Sequence, residues 1–264
     1  MLQESGEKET PYFHLSTLAK GLRIIEILSE EGNLSAAELG RRLGIDRTSS
    51  RRYLSTLLRE GYLRKDDNSR YRLSYKIFEL GTKAANLYSL RDDAYPLMRG
   101  IAWRFNKTVN FGCLQGEDVV YLEKAESSEI LRIDCRIGSR APAYCTALGK
   151  AILAFLPLEE LERYLQKTPL RAYTAGTITN REDLIKELQL VREEGVAVDK
   201  EELVVGLRCL GAPVFDRHGY PRYAISVCDI AARMGHDQVE ELKKEIRAVC
   251  QLVSSRLIQE PSGS

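Results

Sequence analysis

The stretch Leu34 to Gly61, LSAAELGRRLGIDRTSSRRYLSTLLREG, constrains the fold most, because its spacing is that of two short helices joined by a tight turn. Ala36, Ala37, Leu39 and Leu43 give the first helix an apolar stripe, Gly44 breaks it, and Ile45 is placed as a buried plug between the two. Asp46 opens the second helix, with its carboxylate placed to cap backbone N–H groups at the positive end of the dipole. Leu54, Leu57 and Leu58 fall at i, i+3 and i+4, so that face packs inward. Outside remain Thr48, Arg51, Arg52, Ser55 and Arg59, with Arg47 and Ser49 at the helix start. These side chains hydrogen-bond phosphates and base edges, and no carboxylate stands among them. A helix-turn-helix lays such a helix in the major groove of double-stranded DNA. The competing reading of this stretch alone is a helical hairpin with a solvated basic face.

The next residues narrow that choice. Tyr62 and Leu63, then Tyr71 and Leu73, flank the turn cluster Asp66, Asp67, Asn68 and Ser69, which predicts a β-hairpin directly after the second helix. A hairpin there is a wing, and its arms carry Arg64, Lys65, Arg70 and Arg72 within reach of backbone phosphates. Upstream, Leu18, Leu22, Ile25, Ile27 and Leu28 predict an apolar helix as the third side of a small core, so residues 14–76 read as a winged helix. This segment holds thirteen Lys and Arg against eight Asp and Glu, a net of +5 in a chain whose total is +1. The basic charge is therefore a localised footprint.

At 264 residues, with 44% hydrophobic and 29% charged side chains, the chain has ordinary globular composition and exceeds the roughly 100–200 residues of one domain. No apolar run approaches the roughly 18 residues of a membrane span, and the polar opening MLQESGEKET lacks the form of a signal peptide. The expectation is a cytoplasmic protein with no membrane partner. Six cysteines never occur as CxxC, and His14, His218 and His236 stand far apart, so no metal, cofactor or disulfide is expected. The cysteines read as small buried hydrophobes.

Residues 77–91, with Ile77, Leu80, Ala84, Leu87 and Tyr88 at helical spacing, predict a linker helix whose apolar stripe needs a partner. A second helix is expected from Asp93 to Phe105 with Pro96 in its first turn. A helix so placed packs either on its own domain or against a second subunit, and dimer contacts are the favoured reading, since helix-turn-helix proteins commonly read two half-sites with two subunits. From Thr108 the period changes to two: TVNFGCLQ, a GED turn, VVYLEKAE, then ILRIDCRI as a third strand closed by a GSRAP turn. Helices follow at ALGKAILAFLP, LEELERYLQ and NREDLIKELQLVREEG, strands at VAVDK, LRCLGAPVFD and RYAISVCD, and a last helix from about Asp237 to Leu257. Residues 92–260 are thus an α+β domain built on an antiparallel sheet.

A winged helix followed by GSRAPAYCTALGKAILAFLP, GVAVDKEELVVGLRCLGAPVFD and AISV resembles the IclR family of bacterial transcription regulators, over Leu15 to Leu257. The resemblance implies an N-terminal winged helix-turn-helix, a linker helix and a C-terminal GAF-like domain that binds a small organic effector. It also implies a homodimer or dimer of dimers on a palindromic operator, repressing or activating. Carried over residue by residue, one side of the effector pocket is Ala141, Ala147 and Leu148 with Ile130 and Ile133 as apolar wall. The other side is Asp199, Leu207, Cys209, Ser226 and Cys228. Cys228 departs from the serine of glyoxylate- and pyruvate-responsive relatives, and Ser50 stands where the family more often has an apolar residue. Thr146, at or near a helix cap with Gly149 in the first turn, forms with the helix amides a candidate site for a carboxylate, so the effector is read as a small organic acid. The string PAYCT is similar to the branch that senses aromatic acids. The alternative to a regulator is a thiol-dependent enzyme with an accessory DNA-binding domain, using Cys145 or Cys209; neither has a histidine close in sequence to serve as base.

Overall fold

The computed structural model describes residues 15–86, 90–126 and 135–259. The chain divides between Tyr88 and Ser89 into two compact units.

The first unit runs α1 (Ser16–Glu31), α2 (Ala36–Leu43), α3 (Arg47–Arg59), β1 (Leu63–Lys65), β2 (Tyr71–Leu73) and α4 (Tyr75–Asn86). Its core is Ile24, Ile27 and Leu28 of α1 against Leu34, Leu39, Leu54, Leu63 and Tyr71, with Leu57 and Leu58 packed on its margin. Each large apolar side chain so buried contributes roughly 1.5–3 kcal/mol. Of the apolar positions expected on α1, Ile27 and Leu28 are buried and Ile25 is half-buried, but Leu18 and Leu22 are exposed and Ile24 is fully buried instead. On α2, Leu39 is buried but Ala37 is exposed. Ile45 is half-buried, because its backbone closes the turn by bonding to Gly40 O and leaves the side chain at the rim.

Local chemistry explains the helix ends. Ser35 and Glu38 form a reciprocal capping box at α2, and Gly44 ends that helix in the left-handed conformation at φ 63°. Ser50, polar where an apolar residue was the norm, is fully buried and donates to Ala36 O at 2.9 Å. It packs against Gly40 of α2, where an added Cβ would stand 3.6 Å from Ser50 Cβ and 3.1 Å from Ile45 O. β1 and β2 pair Leu63 with Leu73 and Lys65 with Tyr71, and Leu34 bridges to Tyr71, tying the wing to the helices.

The second unit opens with α5 (Leu90–Phe105), β3 (Thr108–Gln115), β4 (Asp118–Ala125) and β5 (Arg140–Pro142). Then come α6 (Ala147–Leu153), α7 (Leu158–Lys167), α8 (Arg181–Glu194), β6 (Ala197–Lys200), β7 (Leu207–Phe215), β8 (Pro221–Ile230) and α9 (His236–Gln259). The strands form one antiparallel sheet in the order β5-β4-β3-β8-β7-β6. One core joins Met98 and Ile101 of α5 and Leu242 and Ile246 of α9 to Phe111, Leu210 and Val227. A second joins Leu148 and Ile152 of α6 and Leu184 of α8 to Val119, Ala197 and Ala224.

Helix α5 packs on α9 of its own unit, with Arg104 bridging to Glu241 and Glu245, so one face of it is a wall of the domain. Two expectations change here. Pro96 lies in the interior of that helix, since the helix begins earlier than the first polar residues suggested. In GSRAP, Gly138 turns at φ 85°, but Arg140–Pro142 is itself a strand, with Ala141 opposite Val119. The strand expected at ILRIDCRI falls largely outside the described residues.

Candidate nucleic-acid interface and ligand cavity

Helix α3 starts on Asp46, whose carboxylate accepts from the Thr48 and Ser49 amides at 2.8 and 2.9 Å and from the Ser49 hydroxyl at 2.6 Å. The Ser49 hydroxyl bond leads the forces that hold the Asp46 carboxyl below its ordinary range, so the cap is charged and the Ser49 hydroxyl is engaged in it. With Leu54 inward, Arg47, Thr48, Arg51, Arg52, Ser55 and Arg59 are exposed on α3. Arg59 pairs with Glu60 at 3.3 Å. Arg47, Arg51 and Arg52 form no ion pair among the described residues. On the wing, the Arg64 guanidinium lies over the Tyr75 ring at 5.3 Å and the Lys65 ammonium over Tyr71 at 5.8 Å, so both charges are braced on aromatic faces while the residues stay exposed. Arg70 differs: it donates to Asn33 O at 2.8 Å and pairs with Glu38, which makes it a strut between wing and α2.

In the second unit a cavity of about 500 Å³ lies between α6 and the face of β6, β7 and β8 that carries Asp199, Cys209 and Cys228. It brings together Ala141, Thr146, Ala147, Leu148, Asp199, Leu207, Cys209, Ser226 and Cys228; Ile130 and Ile133 lie outside the described residues. It also takes in Tyr121, Cys135, Ser139 and the run Leu203–Gly206, which sequence reasoning did not find, and Arg140, which lies close to Thr146 in sequence and reads there as a solvated surface residue. Alternation along β4 and the position of Arg140 beside Ala141 were the available signals.

The cavity has an apolar flank of Leu148, Leu203, Leu207 and Ile230, and a polar end. There Asp199 accepts from the Glu202 amide at 2.8 Å, and burial raises its carboxyl to about 7. Cys209 and Cys228 stand directly opposite on β7 and β8. The bond to Cys228, then burial, pushes the Cys209 thiol well above its ordinary value. Asn110 Nδ2 donates to Cys228 Sγ at 3.5 Å, while Asn110 Oδ1 is buried without a partner. Arg140, the one basic residue on the lining among the described residues, is exposed and 3.6 Å from Asp118. Thr146 Oγ1 accepts from Gly149 N at 3.2 Å, so the first-turn amide expected to hold an anion already has its acceptor.

Two glycines make this geometry possible. A Cβ on Gly211 would stand 2.4 Å from Ala147 O, and one on Gly149 would stand 2.1 Å from Ala143 O. Helix α6 therefore rests directly on the β7 backbone. Behind it Lys150, fully buried, donates to Val198 O at 2.7 Å and to Glu187 at 2.9 Å, and pairs with Glu202 beside Asp199. Burial works against its charge, the two carboxylates outweigh that, and its proton affinity ends above the ordinary value.

The thiols are poor nucleophiles. Burial pushes Cys145 up to about 12, and neither described histidine, His218 or His236, lines the cavity. Among the described residues no group of three or more His, Cys, Asp or Glu is arranged to hold a metal, and no helix is long and apolar enough to cross a membrane.

A winged helix with an outward basic recognition helix, joined to a sheet domain with a ligand-sized cavity, defines a DNA-binding regulator with an effector domain. Residues 17–67 match the IclR helix-turn-helix domain and residues 82–255 the bacterial transcriptional regulator IclR C-terminal domain. The chain belongs to the IclR family. It is 32% identical over 244 residues to the HTH-type transcriptional regulator KdgR of Escherichia coli, covering 92% of this chain and 93% of that protein. The crystal structure of Thermotoga maritima IclR superposes with a TM-score of 0.75 at 31% identity, over 93% of this chain and 100% of that one. An IclR homolog from Microbacterium hydrocarbonoxydans, complexed with 4-hydroxybenzoate, shares the fold with a TM-score of 0.82 at 21% identity, over 92% and 100% of the chains. The family and the relatives are transcription regulators, not enzymes.

Proposed function

We propose that this regulator binds a palindromic operator as a homodimer or dimer of dimers in the bacterial cytoplasm, and that a small organic acid in the second unit's cavity sets its operator affinity. Arg47, Thr48, Arg51, Arg52, Ser55 and Arg59 face the major groove, and Arg64 and Lys65 hold the flanking phosphates. Self-association fits the apolar side chains left outward on the first unit: Leu15, Leu18 and Leu22 of the α1 segment, and Tyr75 and Phe78 of α4.

The observation that carries the effector reading is the cavity's division into an apolar flank and a polar end beside Asp199, with Arg140 exposed on its lining. A cavity of about 500 Å³ is within the size range of small-molecule sites and is roomy for a two- or three-carbon oxo acid. Cys228 in place of a hydroxyl points the same way. An aromatic carboxylate with a ring hydroxyl matches this order: ring on the aliphatic wall, hydroxyl toward Asp199, carboxylate toward Arg140. The 4-hydroxybenzoate in the Microbacterium homolog is a ligand of that class. A thermal-shift screen of aromatic and aliphatic carboxylates tests the reading, since a ligand of the native state raises its stability. Hydroxybenzoates are expected to raise the melting temperature and to change the mobility shift of the promoter fragment. Stabilisation by short oxo acids alone would overturn the aromatic assignment.

A further inference from the structure

A second cavity, of about 360 Å³, lies on the other face of β6 and β7, between α8 and the start of α9. Alternation places it there: Asp199 and Cys209 face the first cavity, and their neighbours Lys200 and Arg208 face this one. Lys200 and Arg208 are direct cross-strand partners, so two cations oppose each other on one sheet face, an arrangement that is destabilising unless something neutralises it.

The carboxylates around them are already engaged. Glu194 and Glu240 pair with Lys243 at 2.9 and 3.1 Å, and Glu187 pairs with the buried Lys150. Asp229, opposite Arg208 on β8, pairs with Lys107. Neither Lys200 nor Arg208 forms an ion pair among the described residues. Arg208 Nη1 donates to Met234 O at 3.1 Å, but its Nε is buried with no acceptor. A buried donor without a partner is costly, and the Nε–Nη2 edge is the edge of a guanidinium that takes an oxyanion with two parallel bonds.

We propose that this cavity is a second ligand site, in which Lys200 and Arg208 hold the carboxylate or phosphate group of a small metabolite, with His236 of α9 also on the lining. It is distinct from the effector cavity and does not depend on what that cavity binds. An oxyanion here supplies the missing acceptor for Arg208 Nε and relieves the Lys200–Arg208 repulsion together.

The test is thermal unfolding of the full chain in graded sodium phosphate and, separately, sodium acetate, with ionic strength held by sodium chloride. A saturable rise of roughly 3–6 °C at ten times Kd is expected with one or both oxyanions. Response to phosphate alone assigns a phosphate ester, and response to acetate alone assigns a carboxylate. Lys200→Met, at an exposed position, is expected to remove the response and, without oxyanion, to melt no lower than the parent. Arg208→Gln is the second variant and loses the response as well. A phosphate or acetate effect that survives both substitutions, or that chloride reproduces, overturns the proposal.

Discussion

On α3 the side chains that face outward are cationic and exposed, and they come from thirteen consecutive residues. In the effector cavity they are mostly buried or half-buried, and they come from segments spread between Tyr121 and Ile230. The helix face works by leaving charges unpaired for a polyanion to neutralise. The cavity works by desolvating a few polar groups so that a small ligand can discriminate among them. The difference predicts that substitutions on α3 alter affinity while sparing the fold, and that substitutions around the cavity alter both.

The largest effect is expected at Lys150. Replacing it with Met leaves Glu187 and Glu202 facing each other without their cation, and breaking a buried pair from one side costs about 3–5 kcal/mol. Urea unfolding reads this directly, and a loss under about 1 kcal/mol would remove the network from any account of the cavity's stability.

Asp199 comes next. Its ordinary value is 3.8 and burial raises it to about 7 in the folded chain. The native state thus keeps a proton that the unfolded chain releases, and this group's contribution is lost as pH rises through that window. Melting curves of the parent and of Asp199→Asn from pH 4 to 8 should diverge, with the parent falling relative to the variant up to about pH 7 and running parallel above it. Parallel curves throughout would mean that Asp199 is solvated.

Smaller effects belong to the DNA face. Arg51→Ala or Arg52→Ala should cost about 1–3 kcal/mol in operator affinity and relax sequence choice. Arg64→Ala or Lys65→Ala should weaken binding to every sequence alike and flatten the salt dependence by about one unit of slope. Gel shifts on operator and scrambled duplex at several salt concentrations separate the two pairs. Equal losses on both duplexes for all four variants would erase the distinction between groove and backbone contacts.

The same contrast explains what was legible beforehand. On α3 the period of 3.6 assigns Leu54 inward and Arg51 and Arg52 outward without reference to the rest of the chain. On α1 the apolar pattern places Ile27 and Leu28 inward correctly but not Leu18 and Leu22, because these carry as much hydrophobicity as Ile24, and only the position of α2 and α3 decides which is covered. The ligand cavity was accessible through resemblance for Asp199, Cys209 and Cys228. Tyr121 and Leu203 escaped notice, and Arg140 read as solvated surface, because strand order and the backbone contact at Gly211 bring them there, and neither is a local property. Lys150 was invisible for a related reason: in ALGKAILAFLP it reads as a surface lysine until Glu187 and Glu202 arrive from elsewhere.

The glycine within α6 and the one beneath it have an evolutionary corollary. A larger residue at Gly211 would push the helix off the sheet, one at Gly149 would push it off the turn at Ala143, and either would dismantle the chamber. The cysteines, serine and aliphatics around that chamber bear no such burden and can drift one at a time. A lineage with this skeleton can retune its chemical palate while the scaffold stays put.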